Sequence, residues 1–129
     1  METTGKRVLL VEDDRFLRRA CEASLRQRGL AVTTAADGEE GLRLARSEQP
    51  DLILLDMLMP IMNGWQCATE LRARFGQDVP IVVVTAAEHA HARAAQIGGV
   101  ADVLQKPFDM DDLLDIVGRY ASKKASVEH

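Results

Sequence analysis

Five short apolar runs recur along the chain, separated by longer segments of mixed polarity. Three of them, VLLV, LILL and IVVV, contain no polar residue, which is typical of strands covered on both faces of a parallel sheet. Their length suits strands better than helices. The five predicted strands are Arg7–Val11, Ala31–Ala35, Leu52–Leu55, Ile81–Val84 and Ala101–Leu104.

The segments between the runs carry apolar residues at helical spacing. In the first segment, which Gly29 ends, one apolar stripe is predicted to hold Phe16, Leu17, Ala20, Ala23 and Leu25. The other predicted helices begin at the capped turn of Asp37, cover Gly64–Phe75, cover Glu88–Ile97 and begin at Asp109. Alternating strands and helices predict a doubly wound α/β fold, with helices on both faces of a parallel sheet.

Length and composition predict one globular domain at residues 1–121, followed by a polar tail or linker at 122–129. The net charge of −4 and the scattered basic residues argue against nucleic-acid binding. No apolar run is long enough to span a membrane, and the first residues do not resemble a signal peptide. We therefore expect a cytoplasmic protein in which Cys21 and Cys67 are small buried hydrophobic residues rather than a disulfide.

Residues whose side chains can bind a ligand or take part in a reaction follow four of the predicted strands. Three acids, Glu12, Asp13 and Asp14, follow the first strand. Asp56 follows the third strand, Thr85 the fourth, and Lys106 with Pro107 the fifth. The carboxyl ends of parallel strands meet at one edge of a doubly wound sheet, and ligands bind there. We therefore expect the residues at these four strand ends to lie close together.

Clustered carboxylates repel one another unless a cation offsets their charge, and an all-oxygen donor set suits Mg²⁺. Zinc is less suitable, because His89 and His91 are two positions apart and point to different sides of a helix. A carboxylate can act as a nucleophile toward phosphorus. A nearby lysine and metal would then stabilise the charge of the transferred group, and a threonine hydroxyl could bind one of its oxygens.

Each of these residues also has an ordinary structural interpretation. Asp13 or Asp14 could cap the first helix, and Thr85 could open a capping box. Lys106 could be a solvated surface residue, and Asp56 could serve a cap or a turn. An unpaired carboxylate at the end of a buried strand would be costly, however. The recurrence of such residues at corresponding strand ends favours one shared site.

The order and spacing of four segments resemble the receiver family of two-component response regulators. The segments are VLLVEDD, LILLDMLMPIMNG, IVVVTA and LQKPF, and the resemblance extends from Lys6 to about Ala121. It implies a flavodoxin-like five-stranded sheet of order 2-1-3-4-5 with five helices. It also implies that Asp56 accepts a phosphoryl group from a histidine kinase or phosphotransfer protein. The domain itself would catalyse this transfer and the later dephosphorylation.

The resemblance assigns roles to individual residues. Glu12 and Asp13 would form the acidic pocket, and Mg²⁺ would be bound there together with Asp56 and the backbone carbonyl of Leu58. The remaining implied roles are contact with the phosphoryl group for Thr85 and Lys106, a cis peptide bond before Pro107, and shaping of the loop after the phosphorylation site for Pro60 and Gly64.

One position departs from the usual pattern of the family. Val103 lies three residues before Lys106, where many receivers carry an aromatic side chain that changes rotamer as the threonine moves. A β-branched side chain is stiff and cannot make that swing. Val103 is thus either an ordinary strand residue, with signalling through backbone shifts, or a sign of weak or rerouted coupling. The coupled face would comprise the fourth predicted helix, the fifth strand and the last helix, and would bind a downstream protein. The domain would be a monomer or a phosphorylation-dependent dimer.

In the family that the chain resembles, the residues two positions after the aspartate and two positions after the threonine flank the path of the hydrolytic water. Here these residues are Leu58 and Ala87, both apolar, so the resemblance implies a long-lived phosphoaspartate. Three rival functions are weaker. A phosphatase of the haloacid-dehalogenase type needs an acid at position 58. A flavodoxin-type electron carrier would suffer repulsion between the acids and the cofactor phosphate. The third rival is a receiver-like docking module that acts without phosphorylation.

Overall fold

The computed structural model describes residues 5–57, 64–75, 79–86 and 100–125. Five strands lie in these ranges: β1 Arg7–Val11, β2 Ala31–Ala35, β3 Leu52–Asp56, β4 Ile81–Thr85 and β5 Val100–Gln105. Four helices lie in the same ranges: α1 Arg15–Gln27, α2 Gly38–Glu48, α3 Gly64–Phe75 and α4 Met110–Ala125. The helix predicted at Glu88–Ile97 lies outside the described residues.

The five strands form one parallel sheet in the order β2-β1-β3-β4-β5, as expected. Strand order reverses between β1 and β3, whose residues Val11 and Leu55 lie opposite each other. Asp56 in turn lies opposite Val84, and Thr85 lies opposite Gln105. The register therefore brings the ends of β1, β3, β4 and β5 to the same edge of the sheet.

The core consists of two apolar clusters, one on each face of the sheet. Alternate residues of each strand point to opposite faces, so that Leu54 packs toward α1 and α4 while Leu55 packs toward α2 and α3. Every residue of β3 and β4 is buried, which explains their uninterrupted apolar runs. Within the described ranges, no helix has the length and apolar content needed to cross a membrane.

The two cysteines are buried and free, one in each cluster, as the sequence indicated. Burial, with a smaller effect of the Glu12 charge, raises the pKa of the Cys21 thiol to about 11. Burial, reinforced by the Glu70 charge, raises the pKa of the Cys67 thiol to about 12. Both thiols are therefore protonated and unreactive at neutral pH.

The predicted apolar stripe of α1 is wrong in part. Leu25 is buried and Leu17 half-buried, but Phe16 is 79% exposed, and Ala20 and Ala23 are exposed as well. At 100° per residue, positions 17, 21 and 25 share one face of a helix, whereas 16, 20 and 23 share another. The stripe combined two faces, and Cys21 completes the one that packs on the sheet.

Acidic residues cap three of the helices. The Asp14 carboxylate accepts hydrogen bonds from the backbone N–H groups of Phe16 and Leu17. The Asp37 carboxylate accepts from the Glu40 N–H, and the Glu40 carboxylate accepts from the N–H of Ala36, just before the cap.

Asp109 and Asp112 form a reciprocal capping box, in which each carboxylate accepts from the other residue's N–H. The last helix continues to Ala125 and includes the first four residues of the predicted tail. The division of the chain at residue 121 stays a prediction.

Candidate functional site

The edge of the sheet at the carboxyl ends of the strands gathers the acidic and basic residues singled out by the sequence. Glu12 directly follows β1, Asp56 is the last residue of β3, and Thr85 is the last residue of β4. Lys106 directly follows β5, and its backbone N–H donates to the Thr85 carbonyl over 2.8 Å. Parallel pairing thus brings together side chains that are far apart in the chain.

Three carboxylates form a compact group at this edge. Glu12, Asp13 and Asp56 each offer one carboxylate oxygen, and these three oxygens lie within 4.8 Å of one another. Glu12 and Asp56 are buried, whereas Asp13 is exposed. The group is therefore shielded by protein on one side and open to solvent at Asp13, which leaves room for a cation and its waters.

The ammonium group of Lys106 balances part of this negative charge. Its Nζ lies 3.0 Å from Glu12 Oε1 and 3.5 Å from Asp56 Oδ2. Burial of Lys106 by itself lowers its pKa, but the hydrogen bond to Glu12 and the charges of Asp56 and Glu12 outweigh it and raise the pKa above 10.5. Lys106 is therefore a cation at neutral pH, and among the described residues it lies beside a group of three carboxylates.

Thr85 and Val103 differ in their relation to this site. Thr85 is completely buried at the end of β4, next to the strand that carries Asp56. Val103 is partly buried, lies opposite Val83 and packs against the apolar cluster on the α2 and α3 side. Its backbone N–H donates to Asp102 Oδ1 over 2.8 Å. Val103 thus occupies an ordinary strand environment, and its coupling to Asp56 remains a prediction.

Several expected residues fall at or beyond the limits of the described chain. Leu58, Pro60 and Ala87 lie outside the described residues. Gly64 is the first residue of α3. The peptide bond between Lys106 and Pro107 is cis, as the resemblance implied.

One contact of the site had not been expected from the sequence. The Arg18 guanidinium, in the first turn of α1, donates from Nη1 to the backbone carbonyl of Glu12 over 2.8 Å and to that of Asp13 over 3.4 Å. Between the two aspartates, the capping role belongs to Asp14 and leaves the Asp13 carboxylate for the pocket. A basic residue four positions after a cap is a common feature of helices, so Arg18 gave no distinctive signal.

Comparison with known proteins identifies the family to which this fold belongs. Residues 8–118 match the model of the response regulator receiver domain family. The response regulator MprA of Mycolicibacterium vanbaalenii is 40% identical over 109 residues, which cover 84% of this chain and 47% of that protein. The chain thus spans about half the length of the curated relatives it matches.

Two solved structures resemble the chain over nearly their whole length. The receiver domain of the sensor histidine kinase PA1611 from Pseudomonas aeruginosa, which has a magnesium ion in its active-site cleft, is 35% identical with a TM-score of 0.82. The alignment covers 92% of this chain and 99% of that one. The response regulator TrrA from Thermotoga maritima, in complex with Mg²⁺ and BeF, is 31% identical with a TM-score of 0.78, over 89% and 98% of the two chains. The chain belongs to the response regulator receiver domain family and is a receiver domain of a two-component system.

Proposed function

We propose that this receiver domain accepts a phosphoryl group on Asp56 in a Mg²⁺-dependent reaction and thereby switches its protein contacts. The observation that carries the proposal is the surroundings of Asp56. Its carboxylate is buried, lies 3.5 Å from Lys106 Nζ and shares a group of three closely spaced carboxylates with Glu12 and Asp13. Such an unbalanced acidic group suits a divalent cation and a nucleophilic aspartate.

In the proposed transfer, an Asp56 carboxylate oxygen attacks the phosphorus of a phosphohistidine or of a small phosphodonor. A new P–O bond forms as the bond between phosphorus and the donor atom breaks, and the leaving group keeps the electron pair. Lys106 is close enough to the carboxylate to offset charge on the phosphoryl oxygens. The buried Thr85 hydroxyl, at the neighbouring strand end, is proposed to bind one of these oxygens.

The donor set fits Mg²⁺, because carboxylate oxygens are its usual protein ligands and it retains several waters. Asp13 and Asp56 would hold the ion directly, and Glu12 would complete the acidic pocket. The backbone carbonyl of Leu58 is a further proposed ligand. When bound, the ion would neutralise negative charge on the phosphoryl oxygens.

The phosphodonor is proposed to be a histidine kinase or a phosphotransfer protein. The binding partner of the phosphorylated domain is proposed to be a downstream protein. Receiver domains of the family interact with such kinases and with effector domains. We propose that the downstream contact uses the face that includes β5 and α4. The complexes of Mg²⁺ with the two solved relatives support the chemistry of this proposal, since both carry the ion.

Intact mass measurement tests the proposal. The chain is incubated with Mg²⁺ and acetyl phosphate, and we expect a mass gain of one phosphoryl group that is lost in Asp56→Asn and in excess chelator. The matched control is Asp14→Asn, which removes a neighbouring carboxylate but preserves the helix cap, because asparagine caps as well as aspartate does. This variant should be phosphorylated normally.

The same experiment distinguishes the alternative function. No mass gain in the folded wild-type chain would contradict phosphorylation and favour a docking module. A gain that persists in Asp56→Asn would place the phosphoryl group elsewhere. The decay of the gain after removal of the donor measures the lifetime, which we propose to be long because positions 58 and 87 are apolar.

A further inference from the structure

The first turn of α1 is joined to the acidic loop, residues 12–14, by its backbone and by one side chain. The Arg18 backbone N–H donates to the Asp14 carbonyl over 2.8 Å, an early hydrogen bond of the helix. The guanidinium of the same residue reaches back and contacts the carbonyls of Glu12 and Asp13. Since helix and loop are tied by the same residue, the loop cannot shift without changing the first turn of α1.

The peptide group between Asp13 and Asp14 is held at both ends. In a planar trans peptide the C=O and N–H point in opposite directions. The Arg18 guanidinium donates to the oxygen of this peptide group, which is the Asp13 carbonyl. The N–H of the same peptide group belongs to Asp14 and donates to Glu12 Oε2 over 3.1 Å. Glu12 is fixed in turn, because its carboxylate is buried and paired with Lys106. A rotation of this peptide would therefore break contacts on both sides.

The backbone restraint matters because the Asp13 carboxylate has little else to hold it. It is exposed, and within the described ranges no hydrogen bond or ion pair to it is found. Its direction therefore depends on the conformation of its own backbone. That conformation is set by the peptide group that Arg18 and Glu12 hold.

We propose that Arg18 is a positioning residue that fixes the acidic loop so that the Asp13 carboxylate is directed toward the cation shared with Glu12 and Asp56. This inference rests on the proposed Mg²⁺ site and adds a residue that touches neither metal nor phosphoryl group. Outer partners of this kind commonly change metal affinity because they orient the ligands.

Arg19 supplies a matched control for the charge of Arg18. It is the next residue of the same helix, is exposed, and makes no ion pair with any residue in the described part of the chain. Arg18→Met and Arg19→Met change the net charge equally and keep an aliphatic stem. Only Arg18→Met removes the donor to the acidic loop.

Isothermal titration of the metal-free chain with Mg²⁺ tests the inference directly. We expect Arg18→Met to weaken binding about tenfold, within the range known for outer partners of metal ligands. Arg19→Met should change it by less than about twofold, because an exposed charge is screened by salt. Arg18→Lys, which keeps a cationic donor, should recover part of the affinity.

Amide hydrogen exchange provides a second readout that needs no metal. In the metal-free chain, the Asp14 N–H should exchange faster in Arg18→Met than in wild type or Arg19→Met, because its peptide group loses one of its two contacts. This measurement also applies if the variant is less stable, since exchange elsewhere in α1 reports general unfolding.

The outcomes separate this inference from the proposed function. Equal Mg²⁺ affinity and equal Asp14 exchange in Arg18→Met and Arg19→Met, in a chain that binds Mg²⁺ through Asp13, would overturn the positioning role alone. Absence of Mg²⁺ binding by the wild-type chain would overturn both. A selective loss in Arg18→Met with recovery in Arg18→Lys supports the role.

Discussion

Two clusters in this domain contain similar groups in very different surroundings. In the acidic pocket, Lys106 Nζ lies 3.0 Å from Glu12 Oε1, with side chains that are 21% and 2% exposed. In the outer cluster, formed by Asp102 of β5 with Arg119 and Tyr120 of α4, Arg119 lies 3.3 Å from Asp102, with side chains that are 58% and 26% exposed. The contacts are similar in length, so burial is what separates the two clusters.

In the outer cluster, the charge of the Asp102 carboxylate is matched by a cation and by hydrogen-bond donors. The Asp102 carboxylate receives hydrogen bonds from the Tyr120 hydroxyl over 2.9 Å and from the Val103 N–H over 2.8 Å, in addition to Arg119. One negative charge is matched by one positive charge and two further donors. Water can also screen it, so its contribution to stability is that of an exposed pair.

In the acidic pocket, the described residues bring together more carboxylates than cations. Glu12 and Asp56, both buried, share the ammonium group of Lys106, and Asp13 places a third carboxylate beside them. Repulsion among desolvated like charges is stronger than in water, and a protein retains it only where other contacts hold the groups in position. This difference supports the proposal that the acidic pocket binds a cation. The outer cluster instead links β5 to α4.

The largest effect should follow from removal of the cation of the pocket. In Lys106→Met, Glu12 and Asp56 lose their counter-ion while they remain buried. We expect a loss of about 2 kcal/mol in the free energy of unfolding, less than for a fully buried pair because part of Lys106 reaches solvent. Urea denaturation at neutral pH measures it. A loss no greater than that of Arg119→Ala would contradict the comparison.

Alkaline pH should remove the same contribution without a mutation. The folded pKa of Lys106 is raised above 10.5, so its stabilisation is fully present below that pH and is lost as pH rises through the folded pKa. The difference in stability between wild type and Lys106→Met should therefore be constant from neutral pH to about pH 9.5 and shrink above about pH 10.5. Urea denaturation across this range measures the difference.

The buried thiols also titrate in this window. The contribution of Cys67 cancels in the difference, whereas that of Cys21 cancels only in part, because the Lys106 charge lowers the pKa of the Cys21 thiol. Cys21 and Cys67 have pKa values raised from 9.0, so they lower the stability of both chains as pH rises above 9.

The stability difference between wild type and Arg19→Met provides the control, since arginine stays protonated and Arg19 makes no ion pair in the described part of the chain, whereas Arg119 lowers the pKa of the Tyr120 hydroxyl. A difference for Lys106→Met that does not change with pH would argue against the raised pKa.

The smallest effect should follow from removal of the cation of the outer cluster. Arg119→Ala breaks an exposed pair, and Asp102 keeps the hydrogen bonds from Tyr120 and Val103. We expect a loss below about 1 kcal/mol in the free energy of unfolding. This loss should diminish further in about 1 M salt, where the screening length is about 3 Å, whereas the loss in Lys106→Met should persist. If salt reduced the stability losses of Arg119→Ala and Lys106→Met equally, the two ion pairs would not differ in their screening by solvent.

Much of the fold could be read from the sequence, because the apolar pattern has local causes. The wholly apolar runs of β3 and β4 predicted central strands of a parallel sheet, and each strand extends one residue beyond its run. The caps Asp37 and Asp109 were also predictable, since a cap bonds to its own helix. The stripe of α1 was predicted wrongly in part, although helical spacing already separates Phe16 from Leu17 and Leu25, and packing on the sheet then decides which of the two faces is buried.

Some features of the candidate site could likewise be predicted from the sequence, and others only from the folded structure. The sequence by itself determined which residues stand at the strand ends, since Glu12, Asp56 and Lys106 directly follow or end apolar runs. Only the tertiary structure decided that Lys106 pairs with Glu12, 94 residues earlier, and that Arg18 reaches back to the acidic loop. The physical reason is range: burial pattern and capping arise within a few residues, whereas desolvation and charge pairing depend on segments that meet only in the folded chain.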